Sequence, residues 1–187
     1  EAQPRNVVLL IDTYDTEAAA EKVVSLAGRL NARGISIHGV RLDSGDLADH
    51  ARKVRHILDR GGLTATQILA SGNLDEERIQ TLVTGQAPID SFAIGTAMTT
   101  SADAPYLDCA YKLQEYAGRP CRKRSEGKAT WPGRKQVYRR IGTDGRLNGD
   151  IITVEGDCRE GQPLLGHVMQ GGQRVASPPS LEDVRRY

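Results

Sequence analysis

The sequence has few cysteines and aromatic residues, almost no net charge and no long apolar run. Its three cysteines are an odd number without a Cys-x-x-Cys pair, so neither a disulfide framework nor a zinc knuckle is expected. The 25 Lys and Arg residues nearly balance the 24 Asp and Glu residues, which predicts no nucleic-acid partner. No apolar run approaches the roughly 20 residues needed to cross a bilayer, so we expect no membrane partner.

The start of the chain and its histidines are also uninformative about a complete active site. No secretory pattern is present, and we expect a cytoplasmic protein with reduced thiols. The chain opens without Met and runs almost at once into an apolar stretch, which suggests part of a longer protein, although processing could also produce such a start. His50 and His56 lie on a predicted helix and are expected to be solvated. The absence of GxGxxG and Walker motifs argues against a dinucleotide or P-loop site.

The first hundred residues alternate short apolar runs with amphipathic helical stretches. Strands are predicted over 7–11, 35–42, 64–70 and 89–94, with a helix after each of the first three. Such alternation predicts parallel strands joined by helical crossovers. An open doubly wound sheet and a section of a (β/α)8 barrel both fit, and the periodicity alone does not choose between them.

The third predicted helix carries a recognisable start signal. Asn73 is placed to cap it, and Glu76 three residues later would complete a capping box. Ile79, Leu82 and Val83 are expected to form its buried face.

After Pro105 the sequence changes character and becomes poorer in apolar residues. The elements predicted there are a helix over 107–116, strands over 136–141 and 146–154 around an Asp144-Gly145 turn, and a short helix over 181–187. We therefore divide the chain into a partial barrel, 1–104, and an appendage of a helix plus β structure, 105–187.

Polar and glycine residues follow each of the four predicted strands. In chain order these strand exits are Asp12–Asp15, Arg41–Asp46, Ser71–Asn73 and Gly95–Thr96. The exits of parallel strands lie on one face, where α/β proteins build their sites. The last two exits could be only a capped turn and a plain loop. Together, however, Ser71, Gly72, Asn73, Gly95 and Thr96 predict a phosphate cradle, because glycine permits close approach and helix starts offer free N–H groups.

Charged residues at the first two exits allow two interpretations. Arg41 and Asp43 lie two positions apart, so their side chains point the same way. They could form an internal salt bridge, or Asp43 could accept hydrogen bonds from ribose hydroxyls or help hold a metal beside the fixed charge of Arg41. Asp12 could orient a histidine. No metal ligand is identified with certainty.

Several segments match a known enzyme family in the family's own order. They are Leu10–Thr16 ("DTYDT"), Val40–Leu47 ("RLDSGDL"), Ile68–Leu74, Ile89–Phe92, Ile94–Thr96, Tyr111–Leu113 ("YKL"), Lys123–Ser125 with Lys128 ("K-S-x-x-K") and Pro132–Lys135 ("PGxK"). From about residue 7 to 140 the chain resembles nicotinate phosphoribosyltransferases.

The resemblance implies a fold and a reaction. It implies a (β/α)8-type barrel, of which this chain would supply four βα units and a small β-rich C-terminal appendage. Family members join nicotinate to 5-phosphoribosyl-1-pyrophosphate in NAD salvage, giving nicotinate mononucleotide and pyrophosphate. ATP hydrolysis is coupled through a phosphorylated histidine, Mg²⁺ is required, and a homodimer completes the site.

The resemblance also implies roles for individual residues. Arg41, Asp43 and Ser44 would meet the substrate in its ribose and nucleobase region, and Ser71, Gly72, Asn73, Gly95 and Thr96 would bind the 5-phosphate. Asp12 would pair with the phosphorylated histidine, which in the family precedes the "DTYDT" segment and so falls before Glu1. We expect this portion alone to be inactive. The alternatives are a non-catalytic phosphate- or nucleotide-binding module and a related nicotinamide or quinolinate phosphoribosyltransferase.

Overall fold

The computed structural model describes residues 4–101, 103, 106–107 and 109–186, which divide into two compact units. The first unit comprises Glu1–Leu113 and Arg122–Trp131, and the second comprises Gln114–Cys121 and Pro132–Tyr187. This division differs from the predicted boundary after residue 104. Segment 122–131 belongs to the first unit because its side chains bond to residues near the start of the chain, as described below.

The first unit contains the alternating strands and helices that the sequence predicts. Its elements are β1 (Val7–Leu10), α1 (Thr16–Asn31), β2 (Ile37–Leu42), α2 (Leu47–Arg60), β3 (Gln67–Ala70), α3 (Glu76–Thr84), β4 (Ser91–Phe92) and α4 (Thr96–Thr99). The strands form a parallel sheet in the order β1-β2-β3-β4. The predicted mixed α/β class with a parallel sheet is confirmed, and strands that are consecutive in sequence are neighbours in the sheet.

Aspartates cap the first three helices. Asp15 Oδ1 accepts a hydrogen bond from the Ala18 amide at 2.8 Å, and Asp46 and Asp75 cap α2 and α3 in the same way. The prediction that Asn73 caps α3 is wrong. Asn73 instead has a φ of 50° in the turn after β3, and α3 begins two residues later than the capping-box pattern suggested.

The core lies on one face of the sheet, beneath α1 and α2. Its buried members include Ala20, Val23 and Ala27 of α1, Ala51, Val54 and Leu58 of α2, and Val40, Leu42 and Ile68 of the strands. The register places Leu10 beside Arg41, and Arg41 beside Leu69, on the opposite face. Leu10 is 52% exposed there and Leu69 is half-buried, so the described residues leave this second face open along β1 and cover it only partly at β3.

The predicted buried face of α3 is only partly correct. Ile79 and Leu82 are half-buried, whereas Val83 is 59% exposed. The neighbouring strand β4 spans two residues, so α3 has less sheet to cover than α1 and α2 have. Within the described residues, no helix has the length and apolar character that a bilayer crossing requires.

The second unit consists of small antiparallel sheets and one short helix. Its elements are β5 (Glu115–Tyr116), β6 (Arg119–Pro120), β7 (Lys135–Ile141), β8 (Leu147–Val154), β9 (Gln162–Pro163), β10 (Met169–Gln170), β11 (Gln173–Arg174) and α5 (Leu181–Arg186). Strands β7 and β8 form the predicted hairpin, and Asp144-Gly145 lies in its turn. The short C-terminal helix is also present over the described residues, and Tyr187 lies outside them.

The helix predicted over 107–116 is wrong in the residues that the structure describes. Residues 107 and 109–114 are not helical, and Glu115–Tyr116 is a strand paired with Arg119–Pro120. Ala117 and Gly118 both have positive φ, 49° and 71°. This backbone forms a tight hairpin turn, which overrides the helical spacing of the apolar residues before it. Residue 108 lies outside the described residues.

The burial difference between α2 and α3 predicts unequal costs for the same substitution. Val54→Ala removes two buried methyl groups from the core and should lower the free energy of unfolding by about 2 kcal/mol. Val83→Ala, at an exposed position, should change it by less than about 0.5 kcal/mol. Urea unfolding of both variants measures the difference, and equal losses would contradict the position of the core.

Candidate functional site

The carboxylate of Asp43 accepts hydrogen bonds from side chains of three separate segments. Its Oδ1 accepts hydrogen bonds from Arg41 Nη2 at 3.1 Å and from Ser71 Oγ at 2.6 Å. Its Oδ2 accepts one from Lys128 Nζ at 2.5 Å, and the same ammonium group bonds to the Asp43 carbonyl oxygen at 2.5 Å. Arg41 Nε also donates to Ser71 Oγ at 2.8 Å. The Arg41–Asp43 salt bridge, one of the two interpretations left open by the sequence, is therefore present within a larger cluster.

This cluster sets the charge of Asp43. Partial burial would by itself raise the pKa of Asp43, because burial disfavours the charged form. Hydrogen bonds from Lys128 and Ser71, the charge of Lys128 and the hydrogen bond from Arg41 outweigh that effect. The pKa of Asp43 therefore lies below its usual value, and the group is an anion flanked by two cations at neutral pH.

Gly72 allows the exits of β2 and β3 to touch. Its φ is +94°, and a Cβ atom at this position would lie 2.2 Å from the Asp43 carbonyl oxygen. A side chain at residue 72 is therefore excluded both by backbone conformation and by contact with backbone. The close approach lets Ser71 reach Asp43.

The five residues predicted to form the phosphate cradle line one cavity of about 300 Å³. Its lining is Arg41, Asp43, Ser71, Gly72, Asn73, Leu74, Ala93, Ile94, Gly95, Thr96 and Lys128. The structure thus brings together residues of two strand exits that are more than twenty positions apart in sequence. Their binding of a phosphate stays a prediction.

Asp12 and Ser44 form a second, buried polar pair. Ser44 Oγ donates a short hydrogen bond to Asp12 Oδ2, and Asp12 is 3% exposed. The other carboxylate oxygen, Oδ1, is buried and has no hydrogen-bond partner among the residues that the structure describes. A buried acceptor without a donor is costly, so this oxygen marks a point where a further donor would be stabilising. In this structure the Ser44 hydroxyl donates its hydrogen bond to Asp12. The predicted contact of Ser44 with substrate remains a prediction.

Segment 122–131 contributes residues that the sequence analysis did not assign to the site. Lys128 contacts Asp43, and Ser125, which is fully buried, donates from Oγ to the Thr13 carbonyl oxygen at 3.4 Å. The guanidinium of Arg124 lies 5.9 Å from the centre of the Tyr14 ring. The K-S-x-x-K pattern marks this segment in the sequence, but a pattern of that kind does not indicate which distant residues the segment contacts.

The prediction that His50 is solvated is wrong. Its side chain is 14% exposed and lies between two carboxylates. Nδ1 is 2.9 Å from Glu17 Oε1, and Nε2 is 3.3 Å from Glu126 Oε2. His56, six residues later on α2, is exposed as expected.

Comparison with known proteins agrees with the motif order. No family model matches the chain. The chain is 43% identical over 181 residues to nicotinate phosphoribosyltransferase pncB2 of Mycobacterium tuberculosis, an alignment that covers 96% of this chain and 39% of that protein. It is 34% identical over 194 residues to the nicotinate phosphoribosyltransferase of Dictyostelium discoideum, covering 98% of this chain and 32% of that protein. The chain belongs to the nicotinate phosphoribosyltransferase family.

A solved member of the same family has a related fold. The crystal structure of nicotinate phosphoribosyltransferase from Porphyromonas gingivalis matches 68% of this chain and 35% of its own, with a TM-score of 0.50 and 25% sequence identity. The chain spans well under half the length of the nicotinate phosphoribosyltransferases that it matches. The prediction that it corresponds to part of such an enzyme is confirmed.

The geometry of Gly72 predicts that its replacement by alanine lowers the free energy of unfolding by more than a positive φ alone would. Gly62→Ala, at a φ of +78° with open space around it, should lower the free energy of unfolding by about 1 kcal/mol. Gly72→Ala should lower it by at least twice as much, because the new methyl group meets the Asp43 backbone. Urea unfolding compares the two variants, and equal losses would show that the contact relaxes without cost.

The contacts of Asp43 predict its response to pH. Since its pKa is lowered in the folded protein, its stabilising contribution is present above the usual value of about 3.8 and is lost as pH falls through the folded-state pKa. Lys128→Met should raise the pKa of Asp43, as followed by carboxyl carbon NMR shifts. Asp150, whose pKa is lowered by its hydrogen bond with Arg139, is the internal control and should not respond. An unchanged titration of Asp43 would contradict the role of Lys128.

Proposed function

We propose that this chain supplies the 5-phosphate anchor and part of the ribose clamp of a nicotinate phosphoribosyltransferase. The whole protein would transfer the phosphoribosyl group from 5-phosphoribosyl-1-pyrophosphate to nicotinate, releasing pyrophosphate and forming nicotinate mononucleotide in NAD salvage. The observation that carries this proposal is the single cavity in which the predicted cradle, Arg41, Asp43 and Lys128 meet.

The charge of this cavity suits a phosphate ester. Arg41 and Lys128 contribute two positive charges and Asp43 one negative charge, so the three groups together are cationic. Lys128 is a compact point charge with three donors, and Arg41 offers a planar fork, which is the pair of shapes that phosphate oxygens accept. Gly72 and Gly95 leave backbone exposed to a ligand at the cavity wall.

Asp43 retains capacity for a ribose hydroxyl. A carboxylate has about four acceptor positions, and three side-chain hydrogen bonds are already made to Asp43. One ribose hydroxyl can therefore donate to it without breaking the cluster. The cations that hold Asp43 fix the direction of that hydrogen bond.

The reaction needs this anchor because of the bond that breaks. The C1–oxygen bond to pyrophosphate would lengthen with positive charge developing on the ribose ring, while the pyridine nitrogen of nicotinate forms the new bond to C1. Holding the 5-phosphate and a ribose hydroxyl restrains the sugar so that C1 stays in line with both groups. The residues described here bind and orient the sugar, and the rest of the protein would bind nicotinate and pyrophosphate.

The described residues do not fit a protein-built Mg²⁺ site. Within the ranges that the structure describes, no group of three or more His, Cys, Asp or Glu side chains could hold a metal ion. Both oxygens of Asp43 already accept hydrogen bonds from cationic or hydroxyl groups. The requirement for Mg²⁺ remains part of the proposal, and no step assigned to this chain runs through it.

The Asp12–Ser44 pair supports the proposed link to ATP. Asp12 Oδ2 is engaged by Ser44, while the buried Oδ1 would accept a hydrogen bond from the imidazole of the phosphorylated histidine. Ser44 would thereby hold Asp12 in the orientation that the histidine needs. We propose that this histidine, the remainder of the (β/α)8 barrel and the second subunit of a cytoplasmic homodimer come from outside this chain, which alone would be inactive. The sequential strand order with core helices on one face supports the barrel.

Ligand titration of the full-length protein tests the phosphate anchor directly. Lys128→Met should weaken ribose 5-phosphate binding by at least about tenfold, because it removes a cation and leaves the Asp43 carboxylate facing the phosphate. Lys22→Met removes the same charge from an exposed position on α1 and should leave the affinity unchanged. Calorimetric titration measures both.

The outcomes separate the proposed function from its rivals. Unchanged ribose 5-phosphate affinity in Lys128→Met would contradict the anchor. Binding by a full-length protein that forms no nucleotide from any pyridine substrate would instead identify a non-catalytic phosphate-binding module. A product assay with nicotinate, nicotinamide and quinolinate distinguishes the related phosphoribosyltransferases, and preference for nicotinate supports the proposal.

A further inference from the structure

The ring of His50 lies where three parts of the first unit meet. Its Nδ1 is 2.9 Å from Glu17 Oε1 at the start of α1, and its Nε2 is 3.3 Å from Glu126 Oε2 in segment 122–131. The ring also lies against the turn that follows Asp43, since a Cβ atom at Gly45 would be 2.6 Å from Nε2. The low exposure of His50 thus results from contacts with α1, this turn and segment 122–131.

The segment that His50 reaches also holds the site together. Glu126 lies between Ser125, which bonds to Thr13, and Lys128, which bonds to Asp43. Within the segment, the Lys128 amide donates to the Ser125 carbonyl oxygen at 3.0 Å. Movement of Glu126 away from α2 would therefore carry the Lys128 ammonium away from Asp43.

The protonation state of His50 decides whether both contacts can exist. A neutral imidazole carries one N–H and can donate to only one carboxylate, whereas the imidazolium donates from both nitrogens. Glu17 faces the ring from α1 and Glu126 faces it from segment 122–131. On α2 itself, Asp49 adjoins His50, and Lys53 pairs with Asp49 at 2.7 Å while lying 3.9 Å from Glu17. The two contacting carboxylates therefore favour the imidazolium.

We propose that His50 is a positioning residue that, as an imidazolium, ties segment 122–131 to the start of α1 and so holds Lys128 against Asp43. Neutral His50 keeps one carboxylate contact and releases the other. The exposed carboxylate, Glu126, is the one released, because its contact is longer than that of Glu17. The Lys128 ammonium then becomes more mobile at the phosphate cavity.

The direction of the pH response follows from the surroundings of the ring. Partial burial would lower the pKa of His50, but hydrogen bonds and charges of Glu17 and Glu126 raise it above the usual 6.5. The stabilisation from the two carboxylate contacts of His50 is therefore fully present below about pH 6.5. It is lost as pH rises through the raised folded-state pKa of His50.

Hydrogen exchange on the ligand-free full-length protein tests this inference separately from the proposed function, which supplies only the identity of the ligand at Lys128. Protection factors of amides in 122–131 are measured at pH 6 and pH 8, each relative to the intrinsic rate at that pH. In the wild type they should fall by about threefold between the two values, the size expected of a partly exposed ion pair.

Three variants determine the cause of that change. His50→Gln and the exposed-site variant Glu126→Gln should both show low protection at pH 6 and no further loss at pH 8. His56→Gln, an exposed histidine on the same helix, should behave as wild type. Wild-type protection with a wild-type pH profile in either His50→Gln or Glu126→Gln would overturn the inference, and Glu126→Gln is conservative enough to keep the fold.

Discussion

The contact between Asp43 and Lys128 is the constraint on which the rest of the site depends. One ammonium group bonds to both the side chain and the backbone carbonyl of the same aspartate. This fixes segment 122–131 over the end of β2 and, through the aspartate, orients Arg41 and Ser71. Because the carboxylate is shared by two cations, its pKa stays low and the cations stay directed into the cavity.

The same contact would let the cavity meet the two opposite requirements of the proposed sugar phosphate. A phosphate needs positive charge, while a ribose hydroxyl needs an acceptor nearby. Isolated cations would attract the phosphate but offer no acceptor, and an isolated aspartate would repel it. A carboxylate held by Arg41 and Lys128 leaves a cluster of net positive charge that still contains an acceptor. The close approach at Gly72 allows these groups to share a volume of about 300 Å³.

Local periodicity predicted the sheet, the helices that cover it and the strand exits, because each depends on residues close together in sequence. Parallel topology then predicted that Ser71 and Gly95 would meet at one edge, which they do. Contacts between residues far apart in sequence could not be predicted from local periodicity. Glu126 lies 76 residues from His50, and no spacing rule connects the two. The helix expected over 107–116 failed because the turn geometry of Ala117 and Gly118 outweighs apolar spacing. Closure of the sheet into a barrel remains a prediction, since the described residues form an open sheet of four strands.

The 85-residue separation of Asp43 and Lys128 also has a consequence for the order of folding. Each βα unit joins residues near one another in sequence, so the sheet and its helices involve small loop-closure entropies. The contact between Lys128 and Asp43 requires a much longer loop to close, and it cannot form until segment 122–131 has been synthesised. The cavity can therefore be completed only after segment 122–131 emerges from the ribosome, later than the strands and helices to which that segment bonds.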